Sequence, residues 1–180
     1  MPFNRAEQLA SVDAEPLDES VLPPLSELSR AQVDSLGTVR ASLEAEAKAY
    51  ALQLTELAAL GWRAQQAGGG ALRSLPMELA GSWQISQLTA ERWIGEAERF
   101  RDALPCTLQL LGEGRLLRHQ ALAVRQELDP CTPQVASAVE AEVLPAGAGL
   151  CPTDLRRQLK RVRLRIETDW RARKQVFTVE

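Results

Sequence analysis

Residues 79–94 read LAGSWQISQLTAERWI and place two short helices on either side of a tight turn. An apolar residue followed by alanine, Leu79-Ala80, closes the first helix, and Ser86 can cap the second. This is the spacing of a helix-turn-helix, in which two helices cross steeply over a turn of about three to four residues. The small Ala80 and Ala90 would let the helix axes approach closely. The pattern predicts a helix-turn-helix-like unit with a surface that could meet DNA.

Proline and glycine residues divide the chain after Gly70 into short helices. The spacing of helix formers, caps and breakers predicts helices over residues 72–82, 86–104, 106–111, 117–128, 132–144 and 152–174. Thr132 followed by Pro133 is typical of a helix start, and Pro145 should end that helix. Since only residues 176–179 alternate with the period of a strand, the predicted fold class is all-α.

A single long helix should precede the short ones. Ser29 and Gln32 have the spacing of a capping box, and helix formers continue to about Ala67, where the run Gly68–Gly70 stops them. A heptad seam runs along this helix at Val33, Leu36, Leu43, Ala47, Tyr50, Leu54 and Leu57. At 1.5 Å per residue the helix reaches about 55 Å, longer than a compact domain of this size. The seam therefore favours a homodimer, the alternative being that it packs against the short helices.

Charge and composition set the domain organisation. Arg5 stands against six acidic residues in positions 1–29, and four prolines interrupt the same region. Such a segment buries too little apolar surface to offset the entropy of ordering it. We expect a disordered acidic tail over 1–28, the long helix over 29–67, a helical domain over 71–175 and a C-terminal stub over 176–180. The net charge of −3 argues against attraction of the whole protein to nucleic acid.

Cysteine usage and hydropathy indicate a cytoplasmic protein. The three cysteines, Cys106, Cys131 and Cys151, are widely spaced and form no CxxC pair, which argues against a disulfide framework. No apolar run is long enough to span a bilayer, and Met1 leads directly into a polar segment rather than a signal peptide. We therefore expect no membrane partner.

The chain offers little catalytic chemistry. His119 is the only histidine, so a metal centre built on two histidines cannot form, and three scattered cysteines do not replace it. A catalytic triad around His119 is arithmetically possible, but the residue more simply packs or is solvated near Arg115 and Arg118. The Gly68–Gly70 run lacks the preceding strand and the following lysine of a phosphate loop, which favours a hinge. We expect no enzyme activity, no metal, no cofactor and no small-molecule substrate.

The last predicted helix is amphipathic and basic. Its apolar stripe consists of Leu155, Leu159, Val162, Ile166 and Trp170. Basic side chains cover the rest of this helix and could contact the phosphates of duplex DNA. Together with Arg92 of the helix over 86–104, the candidate DNA-binding residues are Arg156, Arg157, Lys160, Arg161, Arg163 and Arg165. The alternative is a solvated helix that balances the acidic tail.

Two clusters around the helix over 86–104 have structural interpretations. Glu96, Glu98 and Asp102 are interpreted as a solvated face. Trp83 and Trp93 fit the core better than a platform for stacking bases. Because acidic residues repel phosphates, this helix is expected to be a structural crossing more than a DNA-reading helix.

A series of short elements occurs in a fixed order between about residues 30 and 175. They run from Glu78-Leu79-Ala80 through Ile85-Ser86, Thr89-Ala90-Glu91-Arg92, Leu104-Pro105, Gly114-Arg115, Leu128-Asp129-Pro130 and Val143-Leu144-Pro145 to Leu155-Arg156-Arg157. No single element is diagnostic, but their order and spacing are specific. Together they resemble an actinobacterial family, the domain of unknown function numbered 222, also called the 13E12 repeat family.

The resemblance implies a helical module that commonly precedes an HNH endonuclease domain, here without that nuclease. An HNH centre needs a general-base histidine and a metal-ligand histidine, which this chain cannot supply. The family usually has glycine at the turn position of Gln84, so the turn requires Gln84 to adopt a left-handed conformation, at about 1 kcal/mol. The implied function is weak, non-specific DNA binding or an accessory role to a nuclease. The alternative is a helical dimerisation or protein-interaction module with no nucleic-acid ligand.

Overall fold

Seven helices account for nearly all of residues 30–177, the part of the chain that the computed structural model describes, with side chains described over 32–169. They are α1 (Arg30–Ala67), α2 (Gly69–Trp83), α3 (Gln87–Ala103), α4 (Pro105–Glu113), α5 (Arg118–Leu128), α6 (Pro133–Gly147) and α7 (Pro152–Phe177). No strand occurs in this range. The predicted all-α fold, with a long first helix and shorter helices after it, is confirmed.

The chain divides into two units after Val39. In the first unit the described residues form the start of α1, where the Thr38 hydroxyl donates to the Asp34 carbonyl at 3.0 Å. The exposed fractions of Val33 and Leu36 are 54% and 56%. This part of α1 therefore leaves its apolar residues uncovered.

The predicted terminal segments fall largely outside the described residues. The acidic tail over 1–28 and the capping Ser29 lie there, as do residues 178–180. The predicted stub over 176–180 nevertheless begins as helix, because α7 continues through Phe177.

The second unit, from Arg40 onward, encloses the hydrophobic core. Within it α7 packs against α5 and α6, α4 against α6, and α2 against α3. Several alanines, among them Ala97 and Ala136, are fully buried. Small side chains at helix contacts let the axes approach closely, which suits a core with few aromatic residues. Tyr50 and Phe100 supply one aromatic contact, with ring centroids 6.2 Å apart and planes at 84°.

The turn between α2 and α3 forms as the sequence predicts. Gln84 takes the left-handed conformation, with φ 54° and ψ 40°, and it is the only non-glycine residue with positive φ in the described range. Ser86 caps α3 by accepting a hydrogen bond from the Thr89 backbone N–H at 3.1 Å. Ala90, one turn further along, is fully buried. The strain at Gln84 is about 1 kcal/mol, which the packing of α3 into the core offsets.

Two further helix ends differ from the prediction by three residues. α2 begins at Gly69 rather than at residue 72, because only Gly68 leaves the helical conformation, with φ 103°. α6 continues past Pro145 to Gly147. A proline near the end of a helix removes one backbone hydrogen bond, and packing of the last turn outweighs that loss. Gly147 lies so close to α7 that an added Cβ would meet Leu155 Cδ1 at 3.2 Å.

A buried carboxylate on α6 caps the N-terminus of α4. Glu140 is fully buried and accepts hydrogen bonds from the backbone N–H groups of Cys106 and Thr107 at 2.8 and 3.0 Å. The Thr107 hydroxyl also donates to it, at 2.8 Å. Burial raises the pKa of Glu140, and the three hydrogen bonds act in the opposite direction by favouring the carboxylate. Because Leu104 at the N-cap has no capping side chain, Glu140 satisfies the first N–H groups of α4 from another helix.

Arg99 has the matching role at the C-terminus of α5. Its Nη2 donates to the carbonyls of Leu128, Asp129 and Cys131 at 2.6, 3.2 and 2.9 Å. Carbonyls at this end of a helix lack an intrahelical partner and carry the negative end of the helix dipole. The arginine therefore joins α3 to the connection between α5 and α6.

Replacing Glu140 by alanine should lower the free energy of unfolding by about 2–4 kcal/mol, because two N–H groups and a hydroxyl lose their acceptor inside the core. Urea unfolding followed by circular dichroism measures the change. The control is Glu142→Ala, also on α6, which removes an exposed ion pair with Arg165 of α7. Its effect should stay within about 1 kcal/mol. Equal losses in the two variants would contradict the capping role.

Candidate functional site

α7 presents an apolar side to the core and a basic side to solvent. Leu155 and Leu159 are fully buried, and Val162 and Ile166 pack against the core beside them. The predicted apolar stripe is confirmed for these four residues, while the side chain of Trp170 lies outside the described range. Docking of the stripe turns most of the predicted basic residues outward.

Three basic residues on the outer side of α7 have no acidic partner in the described range. Lys160 and Arg161 are exposed and make no hydrogen bond or ion pair there. Arg156 donates to Gln126 Oε1 at 2.8 Å, an uncharged acceptor that leaves its positive charge uncompensated. The three charges lie within about two turns of one helix.

Two further arginines on this side form exposed ion pairs. Arg157 Nη1 lies 3.0 Å from Asp154 Oδ1, and Arg165 pairs with Glu142. Exposed pairs contribute little stability, so both arginines can still turn toward a phosphate. We define the α7 basic face by its five exposed members: Arg156, Arg157, Lys160, Arg161 and Arg165.

Arg163 does not belong to this face. Its side chain is 18% exposed, and its Nη1 donates to the Glu127 carbonyl at 2.7 Å and lies 3.1 Å from Glu127 Oε1. Its Nε lies 4.0 Å from Glu167 Oε1. The guanidinium is occupied in joining α7 to α5, so we remove Arg163 from the candidate DNA-binding residues.

Arg92 lies apart from the α7 basic face. It is exposed on α3 and lines a cleft bordered by α1, α3 and α5, to which the described part of α7 contributes no residue. Its neighbour Glu91 accepts a hydrogen bond from Gln87 at 3.0 Å on the same helix. The structure thus separates Arg92 from the arginines with which a single interface would combine it.

The heptad seam of α1 is divided between core and surface. Four of its residues have exposed fractions of 0, 8, 2 and 2%, in the core of the second unit: Ala47, Tyr50, Leu54 and Leu57. Because helices of the same chain already cover them, these four cannot form a seam with a second chain. The seam residues upstream of them are exposed, Leu43 at 36% being the nearest.

Glu96 is an internal partner rather than part of a solvated face. Tyr50 Oη donates to Glu96 Oε1 at 3.0 Å, and Arg125 Nε lies 3.4 Å from the same oxygen. Burial raises the pKa of Tyr50, and the neighbouring Glu96 raises it further, so Tyr50 remains a neutral donor. The solvated-face interpretation is wrong for Glu96, whose side chain is 20% exposed. It holds for Asp102, whose side chain is 54% exposed.

The two tryptophans of the α2–α3 unit lie between core and surface. The ring centroids of Trp83 and Trp93 are 6.1 Å apart, with planes at 43°. Trp93 packs against the core, as the sequence predicts, but Trp83 is 45% exposed. The core interpretation therefore applies to Trp93 and is wrong for Trp83.

The residues with potential for catalysis are scattered. His119 is exposed on α5 beside Arg118. In the described range, no group of three or more His, Cys, Asp or Glu side chains is arranged to hold a metal ion. Burial raises the pKa of both the Cys106 and the Cys131 thiol, which keeps them protonated and weakly reactive.

Sequence reasoning missed the charged residues that join helices. Glu140 left a detectable signal, because it lies between Ala136 and Leu144 on the buried stripe of α6, where a charge must be paired. Arg99 and Arg163 left none, since their acceptors at and just after the end of α5 are distant in sequence. Such pairings become visible only when the helices are placed.

A comparison with protein-family models, curated proteins and solved structures found no match. Among the described helices, none combines the length and the apolar character needed to cross a membrane. The candidate site is therefore defined by the geometry and charge of this chain alone.

The different roles of Arg163 and Arg161 can be separated by stability measurements. Arg163→Gln should lower the free energy of unfolding by about 1–3 kcal/mol, because the carboxylate of Glu127 loses its partner in a mostly covered position. Arg161→Gln, the matched change on the exposed side of the same helix, should stay within about 0.5 kcal/mol. Thermal unfolding of both variants measures the difference. If Arg163→Gln leaves the free energy of unfolding unchanged, Arg163 is again a candidate DNA-binding residue.

Proposed function

We propose that this chain is a non-catalytic helical module that binds duplex DNA weakly and without sequence preference through the α7 basic face. The observation that carries the proposal is the exposed trio Arg156, Lys160 and Arg161, whose charges have no acidic partner in the described range. Uncompensated cations on one helix face attract the phosphate backbone and displace its counterions.

The geometry of α7 favours backbone contact over base reading. Its apolar stripe packs against the core, so the helix has a fixed orientation and only its outer side can contact DNA. That side consists of long cationic side chains around Leu164, which is 52% exposed. Sequence reading in a groove depends on polar groups aimed at base edges, whereas flexible cations suit phosphates. We therefore expect Kd values of about 10⁻⁴–10⁻⁶ M at physiological salt.

The family resemblance supports an accessory role. Members of the family that this chain resembles commonly carry an HNH endonuclease domain, and a module that holds duplex DNA without selecting a sequence would serve such a nuclease. On this proposal the cleavage chemistry belongs to the nuclease domain, and this chain contributes affinity for the substrate.

Replacing Arg156, Lys160 and Arg161 together by glutamine should reduce the slope of log K against log salt by about two to three, if each cation contacts one phosphate. Fluorescence anisotropy with a labelled random-sequence duplex, measured over a range of salt concentrations, gives the slope. The matched control changes two arginines and one lysine elsewhere, Lys48, Arg63 and Arg73, all of which are exposed. The control has the same net charge, so a purely global charge effect would lower both slopes equally.

If the wild type does not bind the duplex at low salt, the DNA proposal is wrong. A footprint confined to one sequence would instead contradict its non-specific character.

A second candidate function is a dimerisation module, favoured by an apolar groove along α1. Two adjoining cavities of about 510 and 400 Å³ lie between α1 and the α3–α4 region and share Thr55, Arg101 and Leu108. On the α1 side, Leu52 is 62% exposed and Trp62 is 54% exposed. Exposed apolar surface of this kind is typical of an interface.

This candidate predicts that light scattering gives twice the chain mass of 19.8 kDa at tens of micromolar protein. Replacing Leu52 and Trp62 by glutamate should then yield folded monomers, because both side chains are exposed and a charge there disturbs only the interface. Leu88→Glu, at a position that is 74% exposed on α3, is the control and should remain dimeric. A monomeric wild type excludes this candidate.

A further inference from the structure

A cleft of about 660 Å³ lies between α1, α3 and α5, and the described part of α7 contributes no residue to it. Its volume is within the range of about 300–1,000 Å³ that is usual for small-molecule sites. Most of its charged lining is cationic: it consists of Arg92, Arg99, Arg118 and Arg125 against Glu96 and Asp129. The cleft therefore combines the size of a ligand site with an excess of guanidinium groups.

Two of these arginines, Arg92 and Arg99, have no acidic partner in the described range. Arg92 is exposed and has no hydrogen bond or ion pair in the described range. Within the described residues Arg99 donates only to backbone carbonyls, which are neutral acceptors. A third, Arg118, pairs with Glu46 at 3.0 Å and lies over the Tyr50 ring, 4.7 Å from its centroid.

Arg125 is held in the cleft without being satisfied. It lies between two carboxylates, with Nε 3.4 Å from Glu96 Oε1 and Nη1 4.0 Å from Asp129 Oδ1. Neither contact is a hydrogen bond, and the buried Nε has no hydrogen-bond partner among the described residues. Glu96 is engaged by the Tyr50 hydroxyl at 3.0 Å. The terminal nitrogens of Arg125 also make no hydrogen bond in the described range, so they are the donors that an incoming anion can reach, in competition with the two carboxylates.

An apolar wall adjoins the arginines. A smaller cavity of about 200 Å³ has Leu54 and Leu57 in its lining and shares four residues with the cleft: Tyr50, Trp93, Glu96 and Arg118. Trp93 thus borders both spaces and offers an aromatic surface next to the cationic one. This combination suits a ligand with an anionic end and a flat or apolar body.

We infer that this cleft binds the phosphate group of a small organic molecule. Arg92, Arg118 and Arg125 supply the donors, because the guanidinium fork matches phosphate oxygens and several such groups match its double charge. The organic part of the ligand rests against Trp93. A bare phosphate would leave most of the volume unfilled, which is why the proposal specifies an organic phosphate.

The cleft and the α7 basic face adjoin different residues of α5, so ligand binding at each surface can be tested separately. Arg118, Leu122 and Arg125, spaced four and three residues apart, line the cleft. Gln126 and Glu127 instead contact Arg156 and Arg163 of α7. A substitution in one surface should leave ligand binding at the other surface unchanged.

Gly95 offers a way to block the cleft without unfolding the chain. It lines the cleft on the exposed side of α3, and a Cβ added there would meet nothing within 4 Å. Replacing a glycine inside a helix generally stabilises it, and Gly95→Glu would also add a carboxylate to the cleft. The matched control is Gly81→Glu on α2, where an added Cβ likewise meets nothing.

Isothermal titration with phenyl phosphate and with adenosine monophosphate tests the inference, with adenosine as the probe that lacks phosphate. At least one phosphate ester should bind the wild type one to one, and more tightly than adenosine. Gly95→Glu and Arg92→Gln should each weaken binding of this ester about tenfold. The first adds a carboxylate that repels the phosphate, and the second removes a charge-assisted hydrogen bond to it. Gly81→Glu and the Arg156/Lys160/Arg161 glutamine variant should bind this ester as the wild type does.

Failure of both esters to bind the wild type, or equal binding by Gly95→Glu, would overturn the inference. A random duplex, titrated in parallel, identifies the other source of phosphate. If Gly95→Glu weakens only the duplex, the cleft holds the DNA backbone and not a small molecule. If the duplex binds neither the wild type nor any variant while an ester binds the wild type, the DNA proposal is wrong and the inference about the cleft is supported.

Discussion

The fold depends on satisfying the ends of short helices inside a core, and the Glu140 carboxylate is where this constraint is strictest. α4 has only nine residues, so its unpaired terminal groups are a large share of its backbone. Glu140 supplies their acceptor from α6 and is itself stabilised by three donors. Since Leu104 ends α3 and also precedes α4, fixing the first turn of α4 fixes the end of α3 as well.

The arginines of this chain divide into those that hold the fold and those that remain available. Arg99 and Arg163 bind carbonyls at the C-terminal end of α5, where the helix dipole makes a cation favourable. Arg161, two residues before Arg163 on the same helix, meets only solvent in the described range. The residue type and the local sequence are nearly the same, and the neighbouring helix decides between the two roles.

α5 separates the two surfaces to which the proposals assign ligands. One side of this helix supports α7, whose outer face is an open, convex array of cations suited to a polymer of phosphates. The other side supports a concave cleft in which cations, carboxylates and an indole surround a bounded volume. Convex and concave surfaces of similar charge select different ligands, because only the concave one can enclose a molecule and exclude water from it.

The sequence by itself determined the helical class, most of the helix boundaries and the caps of α3 and α6, since these depend on residues close together along the chain. Ser86 and Thr132 act through neighbours within a few positions, which is why they could be predicted. The sequence also determined which side of α7 is apolar. Only the tertiary structure decided that half of the heptad seam is core, that Glu96 pairs with Tyr50 and that four arginines share one cleft. Burial and charge pairing depend on which helix comes to lie opposite, and no local pattern contains that information.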